Sequence, residues 1–321
     1  MSKLNCAVIG VGYLGRFHAQ KYHQLEEANL VGVCDHTSTT VARVAEELQV
    51  PAFTCHKDLF GKVDAVSIAA STKAHYQIAK DCLEQGIHVL IEKPMTETVQ
   101  QADELLAIAK AQQVKLQIGH IERFNPVRIA AVDYLDHPLF IDCQRLAMYT
   151  PRGADVNVVL DLMIHDIDLI LTMVNSPIAS VEAHGSSVLT SAIDVANARI
   201  TFENRCVATI TASRLHTTAE RSMRILQSKS YLSMDFHQKK ITLFYQNKKE
   251  TLHPGKLTTA PQNIAVESND ALQAEIAAFI NCIRENNPPI VTGDHGRNAL
   301  AVAVQISELI EKNLAYHAIT A

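Results

Sequence analysis

Short apolar runs alternate with helical patterns about five times over roughly the first 120 residues. The apolar runs cover residues 4–9, 29–34, 64–69, 88–91 and 115–118, and the helical patterns cover residues 14–25, 40–48, 74–85 and 99–111. A short run that is apolar throughout is typical of a strand buried on both faces, and strand–helix alternation is typical of a parallel sheet. We therefore predict a doubly wound parallel sheet within a domain over residues 1–122.

The pattern changes near Gly119. Helical segments are predicted over 127–134, 159–174, 269–285 and 295–314, and strands over 198–202, 207–213 and 240–244. These strands alternate apolar and polar residues, as an antiparallel sheet with one solvated face does. We predict a second α/β domain over 123–321 with an open, mainly antiparallel sheet. Because one face of that sheet needs covering, we expect a homo-oligomer, a dimer or a tetramer.

Composition narrows the class of protein. The chain has 321 residues, a formal net charge of −5 and 47% hydrophobic residues, so we expect no nucleic-acid partner. No stretch has the length of a membrane span or the pattern of a signal peptide, so we expect a cytoplasmic protein that does not bind membranes. The seven cysteines are scattered without C-x-x-C spacing and are interpreted as free thiols.

The first predicted strand leads into Gly10-Val11-Gly12-Tyr13-Leu14-Gly15, which has the spacing G-x-G-x-x-G. Asp35 follows Gly15 by twenty residues, at the end of the second strand. This context is typical of a Rossmann dinucleotide site, in which the glycines admit the pyrophosphate and the acid binds the ribose. His36, Thr37 and Ser38 follow Asp35 in place of a basic residue, which favours NAD over NADP. A glycine-rich turn without a ligand is the alternative.

Two further segments carry ionisable residues. Glu92-Lys93-Pro94 follows the fourth apolar run, where ligands bind in open α/β sheets, although a surface lysine is an equal alternative. In the apolar helix over 159–170, helical spacing places Asp161, His165 and Asp168 on one face. Buried ionisable groups are costly unless they are paired or used. A core histidine and a zinc site remain alternatives, but no third ligand has recognisable spacing, so we predict no metal.

Oxidation of an alcohol by hydride transfer needs a cofactor that accepts the hydride and a base that takes the hydroxyl proton. Histidine has an ordinary pKa near 6.5, which suits His165 to the role of base. Lys93 can orient the hydroxyl and stabilise the developing alkoxide, and a carboxylate such as Asp161 can hold the substrate.

Together these residues resemble the Gfo/Idh/MocA family of sugar and inositol oxidoreductases over essentially the whole chain. The resemblance implies that Lys93 is catalytic, with a cis bond to Pro94 in many members, and that Asp161 and His165 bind the reacting hydroxyls. It also implies a cofactor site, whose residues here are Gly10, Gly12, Tyr13, Leu14, Gly15, Asp35, His36, Ser71, Thr72, His75, Glu92 and Lys93.

Two longer stretches, 119–126 and 152–168, look like the branch of this family that oxidises the 3-hydroxyl of UDP-N-acetylglucosamine. The 3-oxo sugar of that branch feeds a PLP aminotransferase, which makes a 2,3-diamino sugar for lipid A. The resemblance implies that the nucleotide-sugar is bound by Arg123, Asn125, Arg145 and Arg152 together with Asp161 and His165. For each arginine, a solvated or salt-bridged role is the alternative. Residues 148–151, Met-Tyr-Thr-Pro, depart from the branch's Pro-Pro-containing approach, which leaves this loop open.

Two other functions stay open at this point. One is a dehydrogenase of another nucleotide-sugar, a free sugar or inositol. The other is a non-catalytic, NAD-bound sensor, against which the presence of both Lys93 and His165 argues.

Overall fold

A computed structural model of the chain describes residues 3–150, 156–245 and 261–320. Its contacts divide the chain into two compact units. The first comprises Met1–Phe124 and Asp270–Ala301, and the second comprises Asn125–Asn269 and Val302–Ala321. The predicted boundary after residue 122 lies near the first division. Residues 270–301, which the sequence analysis assigned to the second domain, group instead with the first unit.

The first unit contains a parallel sheet in the order β3-β2-β1-β4-β5-β6 within the described residues. Its strands are β1 Leu4–Ile9, β2 Ala28–Cys34, β3 Ala52–Phe53, β4 Ala65–Ile68, β5 His88–Glu92 and β6 Leu116–Gly119. Strand β4 is buried throughout and β5 is buried after its first residue, His88, as continuous apolar runs predict. The sequence analysis missed β3, because two residues are too few to show a period.

The helices of the described residues agree closely with the predicted ones. They are α1 Tyr13–Gln24, α2 Ser38–Leu48, α3 Thr72–Glu84, α4 Val99–Ala111, α5 Pro126–Ala131, α6 Ile164–Val174, α7 Ala271–Arg284 and α8 Gly293–Thr320. Helix α4 begins at a capping box, in which the hydroxyl of Thr98 accepts from the Gln101 N–H and the Gln101 side chain accepts from the Thr98 N–H. Within the described residues, none of the helices has both the length and the apolar character needed to cross a membrane.

Helix α7 explains why residues 270–301 belong to the first unit. Its buried residues Leu272, Ile276 and Phe279 lie in the same hydrophobic cluster as core residues of β1 and α2. Asp270 caps the helix by accepting from the Gln273 N–H at 3.0 Å, and it also pairs with Lys21 of α1 at 2.7 Å. The predicted helix is confirmed, but its apolar face could not reveal which sheet it covers.

The second unit contains a sheet in the order β14-β13-β12-β11-β7-β10-β9-β8. Its strands are β7 Pro138–Met148, β8 Ile178–Ser186, β9 Val195–Phe202, β10 Val207–Ser213, β11 Leu215–Gln227, β12 Ser230–Asp235, β13 Lys240–Tyr245 and β14 Gln262–Ile264. The pair β7–β10 is parallel and the other described pairs are antiparallel. The predicted mainly antiparallel sheet is therefore confirmed.

The inner face of this sheet carries a buried row at one register, which runs through Ala198, Ile210, Cys143, Met223, Met234 and Ile241. Residues of the opposite face are more exposed. This alternation follows from the two-residue period of a strand and places the core of the unit on one side of the sheet.

The predicted helix over 159–174 begins with a π-helical turn, Val159–Met163, and continues as α6. Asn157 caps this turn, because its side-chain oxygen lies 3.1 Å from the backbone nitrogens of both Val159 and Leu160. Single π-turns are rare and occur frequently at functional sites. This one carries Asp161, and the α-helix that follows carries His165.

Arg145 lies on the inner face of β7 and is 3% exposed. Its Nε and Nη2 donate to the two carboxylate oxygens of Asp166 on α6 at 2.9 and 2.8 Å. The sequence analysis predicted Arg145 as a substrate ligand, whereas the structure places it in a buried bidentate ion pair that attaches α6 to the sheet. The salt-bridged alternative describes it better.

We expect Arg145→Met to lower the free energy of unfolding by about 3–5 kcal/mol, because Asp166 would remain buried and charged without its partner. The double variant Arg145→Met, Asp166→Leu should recover most of the loss. The half-exposed pair of Arg224 and Asp142 is the control, and Arg224→Met should cost about 0–1 kcal/mol. Urea unfolding measures all three, and an unchanged midpoint for Arg145→Met would contradict the structural role.

Candidate cofactor and catalytic site

The turn between β1 and α1 is built by close approach of backbone. Gly10 has φ +83°, and a Cβ there would lie 2.5 Å from the backbone nitrogen of Ala70. A Cβ at Gly15 would lie 1.8 Å from the carbonyl oxygen of Gly10. These two glycines are therefore required by packing alone.

Gly12 differs from them, because a Cβ there would meet no described atom within 4 Å. Gly12 is the N-cap of α1, whose first turn contains no acidic residue. The N–H groups of a helix N-terminus attract anions. Since packing does not require a glycine at this position, open space beside the helix start fits the approach of a phosphate group.

Asp35 lies at the end of β2 and is 8% exposed. Its Oδ2 accepts from the Val11 N–H at 3.0 Å, and its Oδ1 accepts from the Thr37 N–H at 2.9 Å. The carboxylate therefore ties the glycine turn to the start of the next loop. Oδ1 also lies 3.3 Å from Nδ1 of His36. A carboxylate has about four lone-pair sites, so these contacts are compatible with a ribose hydroxyl as an additional donor.

A cavity of about 480 Å³ opens at the carboxyl ends of β1, β2 and β4. It is lined by Ile9, Gly10, Gly12, Cys34, Asp35, His36, Thr54, His56, Ala69, Ala70, Ser71, Ala74 and Ile78. Of the predicted cofactor residues, Gly10, Gly12, Asp35, His36 and Ser71 line it. The sequence analysis missed Thr54, His56, Ala74 and Ile78, because they lie outside recognisable motifs.

The remaining predicted cofactor residues around this turn have other surroundings. Tyr13 and Leu14 are exposed at the start of α1, and Thr72 is buried at the start of α3. His75 is buried, and its ring nitrogens lie 3.0 Å from the carbonyl oxygens of Pro94 and Ala70. His75 thus connects the loop after β4 to the loop after β5, which is a positioning contact.

Glu92 ends β5 and is 8% exposed. Its Oε1 lies 3.0 Å from Nε2 of His18 on α1, and its Oε2 accepts from the backbone N–H of Lys93 at 3.3 Å. Burial alone would raise the pKa of Glu92, but the hydrogen bond and charge of His18 outweigh it and lower the pKa. Glu92, which the sequence analysis predicted to line the cofactor, therefore restrains the backbone of Lys93 through this hydrogen bond. Lys93 is half-buried, and its bond to Pro94 is cis.

Glu275 of α7 is fully buried beside this pair, and the sequence analysis did not identify it. Both of its carboxyl oxygens lack a hydrogen-bond partner within the described chain. Burial raises the pKa of Glu275 well above its usual value, and the neighbouring charge of Glu92 raises it further. The two directions are opposite, so the pair favours a charge on Glu92 and a proton on Glu275.

Ligand atoms of His18, Glu92 and Glu275 all lie within 4.8 Å of one another, which is close enough to hold a metal ion. A divalent ion would need both carboxyl groups ionised. A neutral Glu275 beside the hydrogen-bonded Glu92 and His18, and a metal centre, are therefore two arrangements that differ in the charge of Glu275.

In the second unit, Asp161 and His165 are half-buried, whereas Asp168 is buried. The predicted substrate residue Asn125 caps α5, where its side-chain oxygen accepts from the Val127 N–H at 3.0 Å. Arg123 is half-buried and belongs to the first unit. Arg152 lies outside the described residues.

Family models match both parts of the chain. The model described as "Oxidoreductase family, NAD-binding Rossmann fold" matches residues 4–120, and the GFO/IDH/MocA C-terminal domain matches residues 128–233. This chain belongs to the Gfo/Idh/MocA oxidoreductase family. Both halves of the family's architecture are therefore present, with the NAD-binding domain first.

Among members of the Gfo/Idh/MocA family, the UDP-N-acetylglucosamine 3-dehydrogenase of Acidithiobacillus ferrooxidans is 37% identical over 316 residues, or 97% of this chain and 98% of that protein. A solved structure of that enzyme superposes with a TM-score of 0.91, covering 97% of this chain and 99% of that one at 36% identity. The Lactobacillus casei scyllo-inositol dehydrogenase, solved with NAD(H) and scyllo-inositol, shares the fold at 22% identity with a TM-score of 0.79, covering 97% and 98% of the two chains.

We expect Glu275→Gln to stabilise the protein increasingly as pH rises above 4.5, the ordinary value for a glutamate. Below that pH the acid is protonated in both states. Above it the unfolded chain ionises while the folded one does not, so the native acid lowers the free energy of unfolding. The neutral amide removes this cost and keeps the shape. Melting temperatures of the wild type and the variant at pH 5 and pH 8 measure the difference.

A larger gain at pH 8 than at pH 5 supports the protonated acid. If the variant is instead less stable than the wild type at pH 8, and a chelator lowers the wild type to the level of the variant, the cluster is a metal centre. The exposed Glu84 of α3 provides a control, because Glu84→Gln should not show this pH dependence.

Proposed function

We propose that this oxidoreductase is an NAD-dependent dehydrogenase that oxidises the 3-hydroxyl of UDP-N-acetylglucosamine to the 3-oxo sugar. The observation that carries the proposal is the 37% identity, over nearly the full length of both chains, to an enzyme of that name. Lys93, Asp161 and His165 supply the ionisable groups that the oxidation of an alcohol needs.

The first unit fits a dinucleotide. The space beside Gly12 faces a helix start without acidic residues, and Asp35 borders the same cavity. A carboxylate at this position favours ribose hydroxyls and repels a 2′-phosphate, which supports NAD over NADP. When it is bound, NAD supplies the carbon that accepts the hydride.

In the proposed reaction, His165 takes the proton of the reacting hydroxyl, and Lys93 hydrogen-bonds the same oxygen and stabilises the developing alkoxide. Asp161 holds a neighbouring polar group of the sugar. The bond from the Lys93 N–H to Glu92 and the fixed start of the π-turn at Asn157 restrain the two segments that carry these groups. Restraint of this kind reduces the entropy lost on reaching the reactive geometry.

Arg123, Asn125 and Arg152 remain the proposed ligands of the nucleotide or sugar. The side-chain oxygen of Asn125 also caps α5 by accepting from the Val127 N–H. Arg145 is not included, because its guanidinium is committed to Asp166. We further propose that the 3-oxo product is consumed in the cytoplasm by a PLP aminotransferase.

The outer face of the second sheet supports a homo-oligomer. Phe140, Leu226, Tyr231 and Phe244 face one another across neighbouring strands at one register. Phe140, Leu226 and Phe244 are 38%, 44% and 38% exposed. An apolar row across an open sheet is typical of a surface that another copy covers, so we propose a dimer or a tetramer.

We expect purified protein mixed with NAD and UDP-N-acetylglucosamine to produce the absorbance of reduced nicotinamide. The enzyme is used at a concentration at which one turnover is visible, because tightly held NADH would limit the signal to a single turnover. Free sugars and inositols are the comparison substrates. A signal with inositol and none with UDP-N-acetylglucosamine would contradict the substrate, and no signal with any alcohol would contradict the dehydrogenase.

We expect Lys93→Ala to lower kcat by about 10²–10⁴-fold, the range for loss of a group that assists proton transfer, with little change in the Kd for NAD. Lys73, an exposed lysine on α3, is the matched control, and Lys73→Ala should leave both constants unchanged. If Lys93→Ala raised only KM, Lys93 would be a binding residue and not a catalytic one.

A further inference from the structure

We propose that His56 reads the adenine base of the cofactor, accepting a hydrogen bond from its 6-amino group, and that Asp81 fixes the tautomer that makes this possible. This inference rests on the proposed function, because it requires NAD as the ligand. It assigns a specificity-determining role to a residue that lies outside the glycine fingerprint.

Two groups of residues line the cavity in the first unit. The glycine turn and Asp35 account for the phosphates and the adenosine ribose. The remaining side of the lining comes from the loop after β3, with Thr54 and His56, and from α3, with Ala74 and Ile78. Small and branched apolar side chains fit the flat face of a base, and His56 is the ionisable group on this side.

The ring of His56 is fixed by several contacts. Its Nε2 lies 2.9 Å from Oδ2 of Asp81. The ring also makes a T-shaped contact with Phe60, with 6.1 Å between the ring centroids. The side chains of His56 and Asp81 are 18% and 12% exposed. Asp81 is held in turn, because Gln77 donates to its Oδ1 at 2.7 Å and Lys57 lies 3.2 Å from its Oδ2.

The charge of Asp81 determines the tautomer. Burial alone would raise the pKa of Asp81, but hydrogen bonds from His56, Gln77 and Lys57 outweigh it and lower the pKa. An ionised carboxylate only accepts, so the proton of the neutral ring lies on Nε2. Nδ1 is then a lone-pair acceptor, and it has no hydrogen-bond partner among the residues that the structure describes.

This acceptor distinguishes one purine from another. Adenine presents an amino donor at its 6-position, whereas hypoxanthine and guanine present a carbonyl oxygen there. A carbonyl oxygen facing the Nδ1 lone pair would lose the hydrogen bond and leave two acceptors in contact. Sites that hydrogen-bond a ligand in this way reject analogues that lack the donor.

The test compares NAD with nicotinamide hypoxanthine dinucleotide, in which the 6-amino group is replaced by a carbonyl. Isothermal titration calorimetry of the full chain gives a Kd for each dinucleotide. We expect the wild type to bind the hypoxanthine analogue roughly 5–10-fold more weakly than NAD, the value of about one hydrogen bond. In His56→Ala the two Kd values should become equal, mainly because NAD binding weakens.

His23 provides the matched control, because it is an exposed histidine on α1 that does not line the cavity. We expect His23→Ala to leave the ratio of the two Kd values at the wild-type level. Asp81→Asn is a second variant for the case in which His56→Ala does not fold, since an amide partner no longer fixes the tautomer and the ratio should fall.

Equal binding of both dinucleotides by the wild type, or an unchanged ratio in His56→Ala or Asp81→Asn, would overturn the inference and leave the proposed function intact. Failure of the wild type to bind either dinucleotide would overturn both. The readout is equilibrium binding, so it does not depend on whether the sugar substrate has been identified correctly.

Discussion

The chemistry proposed for the first unit depends on the contacts that the carboxylate of Glu92 makes. A buried negative charge is costly unless each oxygen finds a donor, and here one oxygen faces His18 and the other accepts from the Lys93 N–H. A Cβ at Gly119 would lie 2.7–2.8 Å from the carboxylate atoms, so glycine at the end of β6 is a condition for its placement. The hydrogen bond that satisfies the carboxylate of Glu92 therefore also restrains the backbone of Lys93.

The charge of Glu92 also raises the pKa of Glu275, which lies far away along the chain on α7. Helix α7 packs on the sheet through an apolar face, yet it places a carboxyl group beside Glu92. Two ionised carboxylates in a buried cluster repel each other, so one of them retains its proton. With the proton retained by Glu275 of α7, Glu92 is the carboxyl group of this cluster that carries the negative charge beside Lys93.

The regular part of the fold could be predicted from the sequence, because it depends on periods. The strand at residues 4–9 and the helix at 99–111 were predicted at their observed bounds. Contacts between segments could not be predicted. Glu275 lies in a helix whose residues Gln273, Asn281 and Arg284 are half-buried or exposed, so its own burial has no sequence signal. Arg145 carries the same charge whether it binds phosphate or Asp166.

The cofactor site likewise has one part that the sequence predicts and one part that depends on contacts between segments. The glycines and Asp35 form a motif because phosphate and ribose recognition depends on backbone that approaches closely, and only certain residues permit that approach. Recognition of the base needs only a shaped surface with one fixed polar atom, and many side chains can provide it. Thr54 and His56 follow a strand of two residues, and His56 acquires its orientation from Asp81, twenty-five positions along the chain. A motif therefore identifies the half of a dinucleotide site that steric limits restrict, and the other half becomes visible only when a structure shows which side chains hold one another in place.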